Sequence, residues 1–171
     1  TRMYYRLLCI KANDKAYIRH TSDSLILPVL HYYTEKKDEH HLPEAYYYAG
    51  RVYRDLEDAP LALDYFQKAI DALPDNKGYR LKSKIYSQMG TLFLYQKTYD
   101  EALKILKEAR KCNIALKDSA SMVFNLRDIA NGYRCLDQND SSLYYLRKAY
   151  YIAKVLRNYD LMAMVQSQMA S

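Results

Sequence analysis

The feature that most constrains this chain is a repeat of itself at a spacing of 40 residues. In Tyr46-x2-Ala49-Gly50-x2-Tyr53, followed by Ala62-x3-Phe66-x2-Ala69 and then Pro74, large and small residues alternate at helical spacings. The same template returns as Tyr86-x2-Met89-Gly90-x2-Phe93 with Ala102-x3-Leu106-x2-Ala109, and again as Leu126-x2-Ile129-Ala130-x2-Tyr133 with Ser142-x3-Leu146-x2-Ala149. Self-similarity at such a period is the mark of stacked supersecondary units, each too small to bury its apolar face alone. A small residue at Gly50, Gly90 or Ala130 lets a neighbouring helix come close, and the aromatic three positions later fills the space beside it.

Composition agrees with an all-helical reading. Only 4 Gly and 4 Pro occur in 171 residues, half of the residues are apolar and 27% are charged, which excludes collagen-like and largely disordered chains. Mean hydropathy is −0.46, and no run of about 18 uncharged apolar residues offers a membrane span. The three cysteines, Cys9, Cys112 and Cys135, form no C-x-x-C pair; an odd, scattered set predicts packed small hydrophobes rather than disulfides or a zinc site. The chain opens at Thr1 without a secretory pattern, as a segment of a longer protein would.

Helix punctuation sets the boundaries. Pro43 suits a first helical turn, Asp58 precedes Ala59-Pro60, Thr98 and Glu101 have capping-box spacing, and Asp140 and Asn158 are placed to cap later helices. The pattern predicts helices at 2–13, 22–36, 42–55, 59–73, 78–95, 99–116, 119–136, 140–156 and 159–170. Residues 3–38 read as a divergent helix pair, 43–76, 83–116 and 123–156 as three repeats, and 159–171 as a partial repeat or capping helix. Together they predict one solenoid over 1–171. Met162, Met164, Val165 and Met169 are expected to leave an uncovered apolar face at the end, open to self-association.

The template residues resemble the tetratricopeptide repeat, in which an aromatic, a Leu-Gly pair, a Tyr, an Ala, a Phe and a Pro stand at these relative positions. The first copy is the fullest match, with Tyr46 for the usual Trp and Ala49 for Leu; the second and third lack the final Pro, and the third has Ala130 for Gly and Ser142 for Ala. The family's usual period is 34, so elongated first helices are expected, with the extra residues around Asn76–Lys82 and Asp118–Met122. The resemblance implies an all-α, right-handed superhelical solenoid of antiparallel helix pairs. Asp14-Lys15-Ala16-Tyr17-Ile18, Thr21-Ser22-Asp23-Ser24-Leu25-Ile26 and Glu44-Ala45-Tyr46-Tyr47-Tyr48-x-Gly50-Arg51-Val52-Tyr53 also resemble a Bacteroides-type group of such proteins. In that group the repeats accompany an envelope-targeting segment, a membrane helix and a regulatory portion, which implies an envelope location and a sensory or adaptor role.

Chemistry is scarce in the motifs. The glycines at 50, 78, 90 and 132 make neither a G-x-G-x-x-G nor a P-loop, and H-E-x-x-H and G-x-S-x-G do not occur. His40-His41 with Glu39 and Glu44 is the one local cluster of metal-ligating types, but adjacent side chains diverge and a solvated loop explains them better. His20 and His31 stand alone. Of the twenty Tyr, Tyr46, Tyr53, Tyr86 and Tyr133 fall at template positions and are expected in the core, while Tyr144-Tyr145 and Tyr150-Tyr151 should each pack one ring and expose the other. Neither an enzyme, a cofactor nor a nucleic acid partner is expected.

Function is expected on the concave surface that the family forms from the first helix of each pair. Carrying over the family's groove-lining offsets gives Glu44, Tyr47, Arg51, Arg54 and Asp55, then Lys84, Ser87, Thr91, Leu94 and Tyr95, then Phe124, Arg127, Asn131, Arg134 and Cys135, with Lys11, Asp14 and Lys15 from the N-terminal pair. Seven of these are basic (Lys11, Lys15, Arg51, Arg54, Lys84, Arg127, Arg134) and three acidic (Asp14, Glu44, Asp55). The whole chain carries net charge +6 and a pI of about 9.0. A basic groove with Tyr47, Tyr95 and Asn131 suits an extended, acidic protein segment. A sensory portion of a membrane-anchored regulator and a self-associating architectural module are the alternatives.

Overall fold

The computed structural model describes residues 2–74 and 77–170 and contains, among them, nine α-helices and no strand. Asn76, where part of the extra length of the repeat was expected, lies outside the described residues. The chain divides into two compact units, residues 1–78 and 79–171. Unit 1 holds α1 (Arg2–Lys15), α2 (Ile26–Glu35), α3 (Leu42–Asp55) and α4 (Ala59–Asp71). Unit 2 holds α5 (Tyr79–Tyr95), α6 (Tyr99–Leu116), α7 (Ser119–Cys135), α8 (Asn139–Val155) and α9 (Tyr159–Met169). Within each unit successive helices pack on one another, with α1 also touching α3 and α5 touching α7.

The template positions make the joints. Ala45, Ala49, Ala62, Phe66 and Ala69 are fully buried in the α3–α4 pair, as are Ile85, Ala102, Leu106 and Ala109 in the α5–α6 pair. A Cβ at Gly50 would sit 2.5 Å from the Phe66 ring, and one at Gly90 would sit 2.5 Å from Cγ and Cδ2 of Leu106. Gly132 does the same work between pairs: a Cβ there would meet Leu103 Cδ2 at 2.9 Å. That contact was not legible in the template, which assigns the small position to Ala130. Two buried polar bonds add register in unit 2. Ser83 donates to Asn113 Oδ1, and the Asn125 amide donates to the Leu106 carbonyl at 2.9 Å, which satisfies one buried polar atom of each asparagine.

The 40-residue period comes from a 20-residue half-period in the turns. Tyr17, Lys37, Glu57, Lys97, Lys117, Asp137 and Arg157 all have positive φ, between 48° and 65°. Each follows the end of a helix by one or two residues and reverses the chain into the next segment. Left-handed backbone there is normally marked by glycine, and its absence hid this punctuation from sequence reading. The added length therefore goes into both members of a pair: α5 has 17 residues and α6 18, against 14 in α3 and 13 in α4.

Several local expectations need correction. Helix α2 begins at Ile26 rather than residue 22; in the turn before it the Asp23 carbonyl accepts from Ile26 and Leu27 N–H, and the Asp23 carboxylate accepts from the Tyr53 hydroxyl at 2.9 Å. Thr98 forms no capping box: its hydroxyl donates to the Phe93 carbonyl at the end of α5, while Glu101 lies 3.7 Å from Lys104. Asp140 lies inside the first turn of α8, whose cap is Gln138. Asp58 and Asn158 cap as expected, accepting from Leu61 and Leu161 N–H. Tyr53 is buried, but Tyr46, Tyr86 and Tyr133 are half-buried. Cys112 is buried, whereas Cys9 and Cys135 are exposed.

The end of the chain also differs from expectation. Leu161 and Val165 of α9 are buried against Val123, Leu126 and Ala149, and Met162, Met164 and Met169 pack on the same cluster. The methionine face thus packs on α7 and α8, with Met162, Met164 and Met169 half-buried, and is not the uncovered face that was expected. No helix of the described residues is long and apolar enough to cross a membrane.

Candidate functional site

In unit 1 the residues expected to line a basic groove are tied into ion pairs between α1 and α3. Lys11 Nζ lies 2.6 Å from Glu44 Oε1, and Arg51 lies 2.5 Å from Asp14 Oδ1 with both side chains largely buried. Arg51 also donates to the Tyr47 hydroxyl at 3.2 Å. Tyr47 is itself only 4% exposed; burial holds its phenol above the usual tyrosine range, against the pull of Arg51. This ring is a core residue whose polar tip serves the ion pair.

Arg54 donates to Asp55 Oδ1 at 2.6 Å, and Asp55 Oδ2 accepts from the His20 backbone N–H at 3.1 Å and faces His20 Nδ1 at 2.8 Å. Burial pushes the Asp55 carboxyl up, but the Arg54 and His20 hydrogen bonds bring it below the ordinary range. Arg19 completes the latch by donating to the Asp55 carbonyl at 2.8 Å, so the turn after α1 is fastened to the end of α3. His20, isolated in sequence, is therefore a buried structural partner of Asp55. Of the basic residues assigned to this unit's groove, Lys15 alone is exposed with no ion pair among the described residues.

His40 and His41 are no ligand pair. Their rings stand at 90°; His41 stacks on Tyr33 and its Nδ1 meets Asp38 Oδ2 at 2.9 Å. Among the described residues no group of three or more His, Cys, Asp and Glu is arranged to hold a metal ion.

In unit 2 five of the ten expected groove residues line one cavity, while Lys84, Ser87, Phe124, Arg134 and Cys135 are not in its lining. Thr91, Leu94 and Tyr95 from α5, Arg127, Asp128 and Asn131 from α7, and Gln168 from α9 line a cavity of about 260 Å³. Tyr95 is 81% exposed at its mouth. Arg127 is held in place by two donations to Asp128 Oδ1, at 3.0 and 2.7 Å, and one to Met164 Sδ at 3.1 Å, with its guanidinium 5.4 Å from the Phe124 ring centre. Burial raises the Asp128 carboxyl despite Arg127 beside it. Arg134 donates to Asn131 Oδ1 at 2.9 Å. Lys84 is exposed on α5 and is not among the residues lining this cavity. Asp128, which the groove offsets omit, and Gln168, on a helix that had no assigned role, were both missed; the guanidinium of Arg127 next to a carboxylate in sequence was the one signal available.

This site holds an exposed aromatic face, two side-chain amides, the Thr91 hydroxyl, which donates to the Ser87 carbonyl, and a guanidinium paired with Asp128. Such a mixture can donate to and accept from an amide backbone. It lacks the strong uncompensated positive charge that the residue count suggested.

The tetratricopeptide repeat family profile matches residues 43–76. No curated protein sequence matches the chain. Among solved structures, the chain is similar to a signal transduction ATPase with numerous domains from Pyrococcus horikoshii that has a tetratricopeptide repeat sensor. The TM-score is 0.81 at 15% identity, covering 95% of this chain and 25% of that one, so this chain spans a quarter of that protein. It is similar to nearly identical tetratricopeptide-like repeats of a putative kinesin light chain from Podosopora anserina, with TM-score 0.79 and 11% identity over 96% of this chain and 82% of that one. The N-terminal domain of stress-induced protein-1 from C. elegans aligns with TM-score 0.63 and 14% identity over 76% of this chain and 96% of that one. At these identities the likeness is one of fold, that of an all-α helical repeat protein.

Proposed function

We propose that this chain, a tetratricopeptide-repeat protein by its fold and by its repeat at 43–76, is a non-catalytic module that binds an extended protein segment across α5, α7 and α9 of unit 2. Tetratricopeptide repeat domains generally mediate protein–protein interactions. The observation that carries the reading is the cavity joining Tyr95, Asn131, Thr91, Gln168 and the Arg127–Asp128 pair. Side-chain amides can pair with a peptide's own N–H and C=O, and an exposed tyrosine adds rigid contact area at little entropic cost. Arg127 is prevented from swinging by Asp128 and Met164, so it presents a fixed donor. Lys84 and the overall charge of +6 favour acidic segments by steering the encounter more than by direct pairing.

The pairing of charges decides how this is tested. Reversing Arg51 or Arg127 would leave Asp14 or Asp128 uncompensated and disturb the fold. Tyr95→Ala with Asn131→Ala leaves every ion pair intact. Peptides selected for binding to the 171-residue protein from a random display library should lose affinity by about tenfold or more against this double variant. If the same peptides bind both proteins equally, the α5–α7–α9 site is not where segments dock. The sensory and self-association readings draw no support from this geometry, since the apolar face of α9 is covered by α7 and α8.

A further inference from the structure

A second cavity of about 490 Å³ opens in unit 2 among α6, α7 and α8, on residues that the α5–α7–α9 site does not use. Leu126, Met122 and Ile152 form its floor, and Ile114 and Tyr151, exposed by 55% and 68%, form its walls. Large aliphatic and aromatic side chains held open to solvent around one concavity mark a binding surface, and the volume is that of a small-molecule site.

Its charged lining is of one sign. Arg110 on α6 and Arg147 and Lys148 on α8 stand at the cavity, and no Asp or Glu is among the residues that line it. None of the three cations is engaged in an ion pair among the described residues. Lys148 Nζ lies 4.4 Å from the centre of the Tyr144 ring. The hydrogen bond from Lys148, assisted by the charge of Arg110, lowers the Tyr144 phenol below its ordinary value, so cations of both helices act on one point. This contrasts with Arg51, Arg54 and Arg127, each of which has its own aspartate.

The lining also decides the kind of occupant. Apart from the two phenol oxygens of Tyr144 and Tyr151, its side chains supply donors and hydrocarbon, with no carboxylate or amide oxygen to receive an N–H. An extended peptide entering it would lose water from amide N–H groups and find almost nothing to replace it. A hydrocarbon tail needs no partner, and an anionic head needs only the cations. We propose that this cavity binds a free single-chain amphiphile, its alkyl tail against Leu126, Ile152 and Ile114 and its anionic head held by Arg110, Arg147 and Lys148.

The test is calorimetric titration of the whole 171-residue protein with dodecanoate below its micellar range. Parallel titrations use dodecanol, dodecyltrimethylammonium and vesicles rich in phosphatidylglycerol. Saturable one-to-one binding of dodecanoate is expected. It should weaken about tenfold or more in Arg110→Gln/Arg147→Gln and in the separate Ile114→Asp variant. Dodecanol should bind more weakly and the cationic amphiphile should not bind. Because Ile114 and Arg147 are exposed and Arg110 is half-exposed, far-ultraviolet dichroism should show all variants folded, and either variant suffices if the other does not fold. Absence of saturable dodecanoate binding would overturn the proposal. So would equal binding of dodecanol, unchanged affinity in the variants, or binding to vesicles without binding of the free anion.

Discussion

At the level of single residues, close approach and backbone handedness carry the information, and they were unequally legible. Gly50 and Gly90 announced themselves by recurring at the same template position, and each faces a side chain that a Cβ would strike. Gly50→Ala and Gly90→Ala should each destabilise the protein by about 1–3 kcal/mol through overpacking, read as a lower urea midpoint at unchanged m-value. Phe66 and Leu106 are both fully buried, so neither can swing away from the added methyl. The left-handed residues gave no such warning. A lysine at φ 61° looks like any surface lysine in a sequence, and only the chain reversal at position 97 demands that conformation. Lys97→Gly relieves the Cβ clash, worth about 1–2 kcal/mol, but frees the unfolded chain, worth somewhat less. A small net gain in thermal midpoint is expected, and Lys97→Val should lower it.

For helices, ends were harder to read than lengths, because capping depends on where a short side chain points. Thr98 and Asp118 both precede a helix, yet only Asp118 caps: it accepts from Ser121 N–H at 3.0 Å and from the Ser121 hydroxyl at 2.8 Å. Asp118→Ala should therefore cost about 1 kcal/mol and Thr98→Ala clearly less, measured by chemical denaturation. The Ser121 backbone hydrogen bond, opposed in part by burial, holds the Asp118 carboxyl below its ordinary value of 3.8. A group depressed in the folded state stabilises above its unfolded pKa, and that contribution is lost as pH falls through the folded value. The stability of the Asp118→Ala variant should accordingly converge on that of the parent in acid, and a constant gap down to pH 2 would contradict the cap. Thr98 and Glu101 had the right spacing but spend their polar atoms on Phe93 and Lys104 instead.

Across the whole chain, stability is built from neighbours. Helix α9 rests on α7 and α8, and α1 on α2 and α3, while α6 and α7 have packed helices on both sides. Repeat arrays of this kind open from their ends rather than all at once. Within unit 2, hydrogen exchange should release the amides of α9 well before those of α6 and α7; equal protection of these helices would show that the unit opens as one. The same scale decides the charge. A count of seven bases against three acids described an open basic groove, but the α1–α3 packing spends Lys11 and Arg51 on Glu44 and Asp14, and Arg54 pairs with its own neighbour Asp55 within α3.

The sequence by itself determined that the chain is helical, where the helices lie to within a few residues, and that Gly50, Gly90 and the template alanines make the joints within pairs. Those properties follow from spacing along one chain, because the period of the apolar residues dictates which side chains share a helix face. Only the tertiary structure decided which charges remain available, that Tyr47 is core and Tyr95 surface, and that α9 packs its methionines on α7 and α8. An ion pair or a cavity is formed by residues distant in sequence, such as Asp14 with Arg51 or Tyr95 with Gln168. Their approach is set by the packing angle of helices, a property of no single helix.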